Sequence, residues 1–312
     1  MKRLLLSLIL LLAFGIGALA WTFTAGTLEP APPYTGSLPA ASPPPEMSLS
    51  SLPTGSMDSQ AGLAYRGGRF SEPRRFSMDA ILVRHPRGDL LFDAGFGKDI
   101  DSHFQQLPAL MRTLSKYQKG TPAGEQLSAN GYAIKNLAGV VLTHAHFDHV
   151  SGLDSLPGVP VWVNQAESDF IEGGSRNSAL ARSFGALNYK RYAFNGGPYL
   201  GFASSLDVWG DGSVLLVPAP GHTPGSIIAF IALPSGVRYV LLGDLVWQME
   251  GIELPAERPW LPRRLIGEDD AQVRGQIAQI AALHQQFPQL RLVPAHDSRI
   301  AATLPVFPAK VQ

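Results

Sequence analysis

The 312-residue chain contains no cysteine. Disulfides, thiolate metal ligands, a cysteine nucleophile and a lipidated N-terminal cysteine are all excluded. Any bound metal must be held by nitrogen and oxygen. Charge is also scarce. Only 16% of residues are charged, and 25 Lys+Arg balance 25 Asp+Glu with no basic block. Nothing in this balance draws the protein to nucleic acid or favours a polyanionic substrate. The hydrophobic content of 45% suits a globular body with a sizeable core, enough for one large domain or two small ones.

Lys2 and Arg3 precede an apolar run, Leu4 to Ala20, in which Ala18-Leu19-Ala20 offers the small-x-small cleavage pattern of a secretory signal. Residues 1–20 are therefore expected to be a signal peptide cleaved after Ala20. The alternative is an uncleaved anchor, since the run nears the lower limit for spanning a bilayer. Either way the body is expected outside the cytoplasm, periplasmic or secreted, or tethered to the inner membrane facing outward. Membrane contact is expected only through this segment, and only if it is uncleaved. Residues 21–54 read as a linker rich in proline, serine and alanine, including Pro43-Pro44-Pro45. The folded domain is expected over 55–312.

Within that domain, short apolar runs predict strands at 79–84, 90–92, 138–142, 161–163, 214–217, 227–231, 239–242 and 290–293. Helical spacing predicts a helix over 103–118, on Phe104, Leu107, Leu110, Met111 and Leu114 and interrupted by Pro108. Further helices are predicted over 125–130, 165–171 and 269–287. His284 fits the buried face of the last and reads as structural. The stretch 173–201 is rich in glycine, serine and aromatics. It reads as a long irregular segment whose aromatics pack near the pocket.

One of these strands leads directly into Thr143-His144-Ala145-His146-Phe147-Asp148-His149. Four metal-competent side chains fall within six residues, on a loop leaving a strand's C-terminal end, where α/β proteins usually place chemistry. In an extended segment His144 and His146 point the same way. Asp148 and His149 follow where the chain turns and can aim at a second point. One motif can thus begin two metal sites. Three more metal-competent residues recur at strand ends: His222 in Pro220-Gly221-His222-Thr223-Pro224-Gly225, Asp244 after Gly243, and His296 in Pro294-Ala295-His296-Asp297. Asp93, ending the run Leu90-Leu91-Phe92, is either a turn former or a buttress for the metal loop.

This pattern resembles the metallo-β-lactamase superfamily over roughly residues 77–300. The resemblance implies an α/β fold, a four-layered αββα sandwich with a dinuclear site at one edge. His144, His146 and His222 would hold one metal, and Asp148, His149 and His296 the other. Asp244 would bridge them, and Asp93 would back the metal loop by hydrogen bonds. Two Zn2+ are expected, with Mn2+ or Fe2+ also suited to these ligands. A hydroxide shared between the metals would attack a carbonyl carbon, and Asp148 or Asp244 would carry the proton to the leaving group. Activity should fall below about pH 6, because ligand histidines must be neutral.

Among the branches of the superfamily, the layout is most similar to N-acyl-homoserine lactonases and the related organophosphate hydrolases. This implies an exported hydrolase of a small-molecule ester or lactone. β-Lactamases usually lack the bridging aspartate and often use cysteine. Glyoxalase II relatives carry a C-terminal helical domain, for which the 16 residues after His296 leave no room. Export and neutral charge disfavour the tRNA-processing nucleases. The alternatives are a β-lactamase-type amide hydrolase, an organophosphate or thioester hydrolase, or a non-catalytic metal-binding module. There is one departure from the lactonases. They typically carry tyrosine three residues after the bridging aspartate, where this chain has Trp247, expected to be unable to donate from the same place. Phe147 and Trp247 are the candidate substrate-pocket walls.

Overall fold

The structure is a computed structural model describing residues 2–185 and 187–312, apart from the side chains of Lys2 and Leu114. Leu114, one of the apolar positions of the helix expected over 103–118, therefore has its side chain outside the described residues. Twelve strands are formed among the described residues: β1 Ser48–Gln60, β2 Pro73–Arg84, β3 Asp89–Phe92, β4 Lys116–Lys119, β5 Leu137–Val141, β6 Val161–Asn164, β7 Tyr189–Tyr192, β8 Leu206–Asp207, β9 Val214–Pro218, β10 Ile227–Ala232, β11 Arg238–Gly243 and β12 Leu290–Pro294. They make a seven-stranded sheet in the order β4-β1-β2-β3-β5-β6-β7 and a five-stranded sheet in the order β12-β11-β10-β9-β8. The pairs β3/β5, β5/β6, β6/β7 and β11/β12 are parallel and the rest antiparallel.

The two sheets pack face to face. Val83, Phe92 and Val141 of one meet Leu216, Ala229 and Leu241 of the other in a buried cluster. A second cluster lies outside the larger sheet, where Ile100, Phe104, Leu127 and Leu180 bring short helices onto it. A third lies outside the smaller sheet, under Val273, Ile277 and Ile280 of the helix Asp270–Gln286. The layers are thus helix, sheet, sheet, helix, the four-layered αββα sandwich. Strands covered on both faces read as continuous apolar runs, and β10, Ile-Ile-Ala-Phe-Ile-Ala, is buried at every position. Caps set helix starts. Asp269 accepts from the backbone N–H groups of Ala271 and Gln272, and Asn164 accepts from that of Glu167.

Four expectations are corrected. The body begins at Ser48 rather than Gly55. Its first strand, SLSSLPTGSMDSQ, carries few large apolar residues and a proline, which sits at an irregularity between Pro53 and Ser56. The segment ahead of it is docked along the body. Leu28 N–H donates to Pro255 O (2.8 Å), Ser42 N–H to Asp211 O (2.8 Å), and Tyr34 packs on Phe287. The helix expected over 103–118 is two helices, Ile100–Gln105 and Ala109–Leu114, followed by β4. Pro108, lacking an N–H, stands between them as the N-cap of the second. The stretch 173–201 is not irregular throughout, because it holds the helix Ala179–Ser183 and the edge strand β7.

A buried charge cluster ties the small helix Ala61–Ala64 to the C-terminal third of the chain. Glu257, 2% exposed, accepts from Arg263 (2.8 Å), Arg274 (2.6 and 3.0 Å) and Arg66 (3.4 Å). Removing its carboxylate leaves three guanidinium groups without their shared partner. Glu257→Ala is expected to cost about 3–5 kcal/mol of unfolding free energy, read as a lowered midpoint in chemical denaturation. A midpoint equal to the parent's would refute this account of the cluster.

Candidate metal centre

Five strand ends deliver the site. Asp93 follows β3, Thr143 to His149 follow β5, His222 lies between β9 and β10, Asp244 follows β11, and His296 follows β12. Asp93 adopts the left-handed region (φ 56°), unusual for a residue with a Cβ. This turns its carboxylate back over the loop. Oδ1 accepts from Thr143 N–H (2.7 Å) and Oδ2 from the Thr143 hydroxyl (2.7 Å). Oδ2 also lies 2.8 Å from His149 Nδ1.

These bonds fix which nitrogen of each ring points inward. A carboxylate only accepts, so His149 carries a proton on Nδ1 and turns Nε2 inward. His296 Nδ1 donates to the carbonyl of Ser77 (2.9 Å), and His222 Nδ1 to Glu268 Oε1 (2.8 Å). Thr143, having given its proton to Asp93, accepts from His144 Nδ1 (3.2 Å). Four Nε2 atoms therefore converge, with His149 and His296 3.3 Å apart and His144 and His222 3.1 Å apart. Such a cluster of ring nitrogens, turned inward as lone pairs or as N–H groups, is a position that a cation can relieve.

Asp244 stands between the two pairs. Its Oδ1 is 2.9 Å from His296 Nε2 and 3.2 Å from His149 Nε2, and its Oδ2 is 3.3 Å from His222 Nε2. Asp148 Oδ2 is 3.4 Å from His296 Nε2. Three sets, His144/His146/His222, His144/His149/Asp244 and Asp148/His149/His296, each bring their ligand atoms within 4.8 Å of one another. Buried His146 Nε2 and Asp244 Oδ1 lack any hydrogen-bond partner. A nitrogen-and-oxygen donor set with unsatisfied buried acceptors fits divalent zinc, and these residues could hold it.

The two halves differ electrostatically. Burial, reinforced by neighbouring imidazoles, holds His144 and His222 well below the usual histidine range and His146 down to about 3. Burial also opposes charge on His149 and His296. For His149 it is outweighed by Asp93, Asp244 and Asp148, and for His296 by Asp244 and Asp148, so both are raised. Burial likewise pushes the Asp148 carboxyl up, whereas His296 and His149 overcome it at Asp244, which is held well below the carboxylate range.

Three supporting residues carried no sequence signal. Glu268 and Arg258, both buried, form an ion pair behind His222. Glu167, from the first turn of the helix Gln165–Glu172, accepts from Ala145 N–H (2.6 Å), the Thr223 hydroxyl (2.7 Å) and Gly225 N–H (3.0 Å). It thereby joins the His144–His149 loop to the His222 loop, and burial lifts its pKa to about 7. The Trp247 indole N–H donates to Asp244 Oδ2 (2.8 Å).

A cavity of about 120 Å³ opens onto His146, Asp148, His222, Asp244 and His296. Phe147 and Trp247 line it, together with Phe76, Met78, Leu180 and Leu265. The aromatics of 173–201 do not. Phe184 and Tyr189 join the outer core of the larger sheet, Tyr192 and Phe194 pack between the sheets, and Tyr199 packs outside the smaller one. That stretch instead supplies Arg176, Asn177, Ala179 and Leu180 to the cavity wall.

Two outcomes are expected. Raised His149 and His296 hold protons that a cation must displace, so zinc loading at pH 7 releases protons and apparent affinity falls as pH drops toward 5. Calorimetry in buffers of different ionisation enthalpy reads the release, and buffer-independent heats would contradict it. Glu268→Leu leaves His222 without its acceptor and should weaken zinc binding about 10–100-fold in chelator competition, against no change if the pair were only structural.

The model of the metallo-beta-lactamase superfamily matches residues 74–296. A probable metallo-hydrolase of Mycobacterium tuberculosis is 31% identical over 237 residues, covering 70% of this chain and 73% of its own. The N-acyl homoserine lactonase AttM of Agrobacterium fabrum is 24% identical over 180 residues, covering 54% of this chain and 65% of the relative. Among solved structures, an N-acyl homoserine lactone hydrolase with N-hexanoyl-L-homoserine at its metal centre aligns at TM-score 0.66 and 18% identity, over 85% of this chain and 98% of that one. The dizinc quorum-quenching lactonase AidC aligns at 0.54 and 15%, over 91% and 92%. At these identities the structural likeness shows the fold alone. The chain belongs to the metallo-beta-lactamase superfamily and is a metal-dependent hydrolase.

Proposed function

We propose that the protein is an exported dinuclear zinc hydrolase that opens the carbonyl of a lactone or ester. The observation carrying this reading is the placement of Asp244, whose two oxygens address different sets of imidazoles, Oδ1 toward His149 and His296 and Oδ2 toward His222. His144, His146 and His222 would hold one cation and Asp148, His149 and His296 the other. Zinc is favoured by the donor set and by the dizinc lactonase among the structural neighbours, and Mn2+ or Fe2+ would suit the same nitrogens and oxygens. Two such cations supply Lewis acidity and a water that ionises near neutral pH.

The chain's own groups do the remaining work. Asp148, at the cavity with Oδ2 3.4 Å from His296 Nε2, or Asp244 would carry the proton to the departing alkoxide. Trp247 fixes Asp244 Oδ2 by its indole N–H. Phe147, Phe76 and Leu265 form an apolar wall for an acyl chain and exclude water from the reacting carbonyl. The lactone preference draws support from the N-acyl homoserine lactonases among the relatives and structural neighbours.

The test is a hydrolysis screen of the zinc-loaded chain over N-acyl lactones, aryl esters, a β-lactam and a phosphotriester. Lactones are expected to be turned over fastest, and preference for the β-lactam or phosphotriester would replace this reading. Asp244→Ala is expected to reduce kcat by at least about 10²–10³-fold with an unchanged circular-dichroism spectrum. Wild-type turnover in that variant would remove Asp244 from the site. With ligand histidines required neutral, kcat/KM should decline below about pH 6, and a flat profile from pH 7 to 4.5 with metal retained would contradict the model.

A further inference from the structure

The N-terminal apolar segment forms one helix, Lys2–Trp21, whose window Arg3–Trp21 has a mean hydropathy of 2.5 and no part buried against the body. Nineteen helical residues span about 28 Å, close to the hydrocarbon thickness of a bilayer. The foot of this helix joins the body without slack. Arg66 donates from Nε to Thr24 O (3.1 Å) and from Nη2 to Trp21 O (3.5 Å), and its guanidinium lies over the Trp21 ring. Gly67 N–H donates to Phe23 O (3.0 Å), and Phe23 packs on Phe70. Arg66 in turn reaches Glu257, so the helix foot and the buried charge cluster are one unit.

The same unit carries the pocket mouth. Leu63, a pocket wall, lies on the short helix Ala61–Ala64, and the Phe70 ring covers Gly62 beside it. Leu261 and Leu265, also walls, lie on the helix that opens with Trp260. Phe70, Leu254 and Trp260 are each between 43% and 50% exposed. Large apolar side chains left in water beside an apolar pocket mark a surface that something covers. Exposed Arg69 and Arg264 stand among them, the mix of aromatic, leucine and basic side chains found where proteins rest on lipid headgroups. Trp21 at the helix foot suits the same interface.

We propose that the helix is retained as an anchor and that the pocket mouth is seated on the bilayer, so that a substrate with a long acyl chain enters from the lipid. The substrate part of this proposal rests on the lactone reading, whereas the docking part does not. Membrane contact then extends beyond the N-terminal segment, along Phe70, Leu254 and Trp260.

The absence of native cysteine makes a site-specific test direct. Phe70→Cys, Leu254→Cys and Trp260→Cys each take one fluorophore. Lys135→Cys, ahead of β5 and so at the opposite strand end from the metal loop, is the control. With the full chain in phosphatidylcholine vesicles, a nitroxide-labelled lipid should quench the first three labels several-fold more than the control. Equal quenching at all four positions overturns the proposal, as does a mature membrane-fraction chain beginning at Trp21. The triple variant Phe70→Ser/Leu254→Ser/Trp260→Ser should lower the ratio of turnover on a bilayer-embedded long-chain lactone to that on a soluble short-chain lactone about tenfold. An unchanged ratio overturns lipid-side entry. Selective quenching in a protein that hydrolyses neither lactone supports the docking surface and refutes the lactone reading alone.

Discussion

The centre depends on where four imidazole Nδ1 protons go. Each is given to an acceptor outside the ligand set: Asp93, Ser77 O, Glu268 and the Thr143 hydroxyl. Were any of these acceptors replaced by a donor, the ring would flip its tautomer and turn an N–H toward the cation position. The acceptors come from distant parts of the chain, so the fold as a whole enforces the tautomers. Asp93 bears the largest share. It serves Thr143 twice and His149 once, and it accepts a left-handed backbone to do so. Strain of this kind persists only where the surroundings over-determine it, and here β3, β5 and the metal loop do so together.

The same arrangement couples folding to metal binding. Five buried histidines and two carboxylates crowded at one sheet edge disfavour the native state until their lone pairs find a cation. A ligand that binds only the folded state raises stability by RT ln(1 + L/Kd), with L its free concentration. The αββα core supplies the opposing term. Three buried clusters hold the strand ends in register, so the packing of β3, β5, β11 and β12 brings the ligand set together. The apolar pocket wall then lowers the local dielectric, which strengthens each charge–charge contact inside.

What the sequence disclosed follows from how its signals are written. Strands buried on both faces are unbroken apolar runs, so β5, β9, β10, β11 and β12 were legible, and with them the loops that carry His144–His149, His222, Asp244 and His296. β1 was not. Its residues Ser48–Gln60 are mostly polar, because the strand is stabilised by pairing with β2 and β4 and by a few buried side chains such as Leu49 and Leu52. Glu268, Arg258 and Glu167 were invisible for a different reason. Their partners lie tens of residues away, and a glutamate inside or just before a helix looks the same whether it faces solvent or a buried ring. The aromatics of 173–201 misled because density of aromatics signals packing, which the two sheet faces and the outer cores provide as readily as a pocket does.

Trp247 illustrates how a single position can change role without changing place. Its N–H binds Asp244 Oδ2 (2.8 Å), its ring packs on Phe76, and the Arg258 guanidinium lies 4.8 Å from the ring centre. Arg258 pairs with Glu268, which holds His222, whose Nε2 returns to Asp244 Oδ2 at 3.3 Å. The five residues close a ring of contacts around one half of the centre. A tyrosine hydroxyl could reach a substrate oxygen, but it would leave Asp244 Oδ2 without a fixed donor and Arg258 without an indole face. Tryptophan transfers that polar contact from the cavity to the metal-facing carboxylate and gives the cavity an apolar wall. Under the proposed lactone reading, selectivity at this position acts on the hydrocarbon part of a substrate, which is the part that a lipid-facing mouth would admit first.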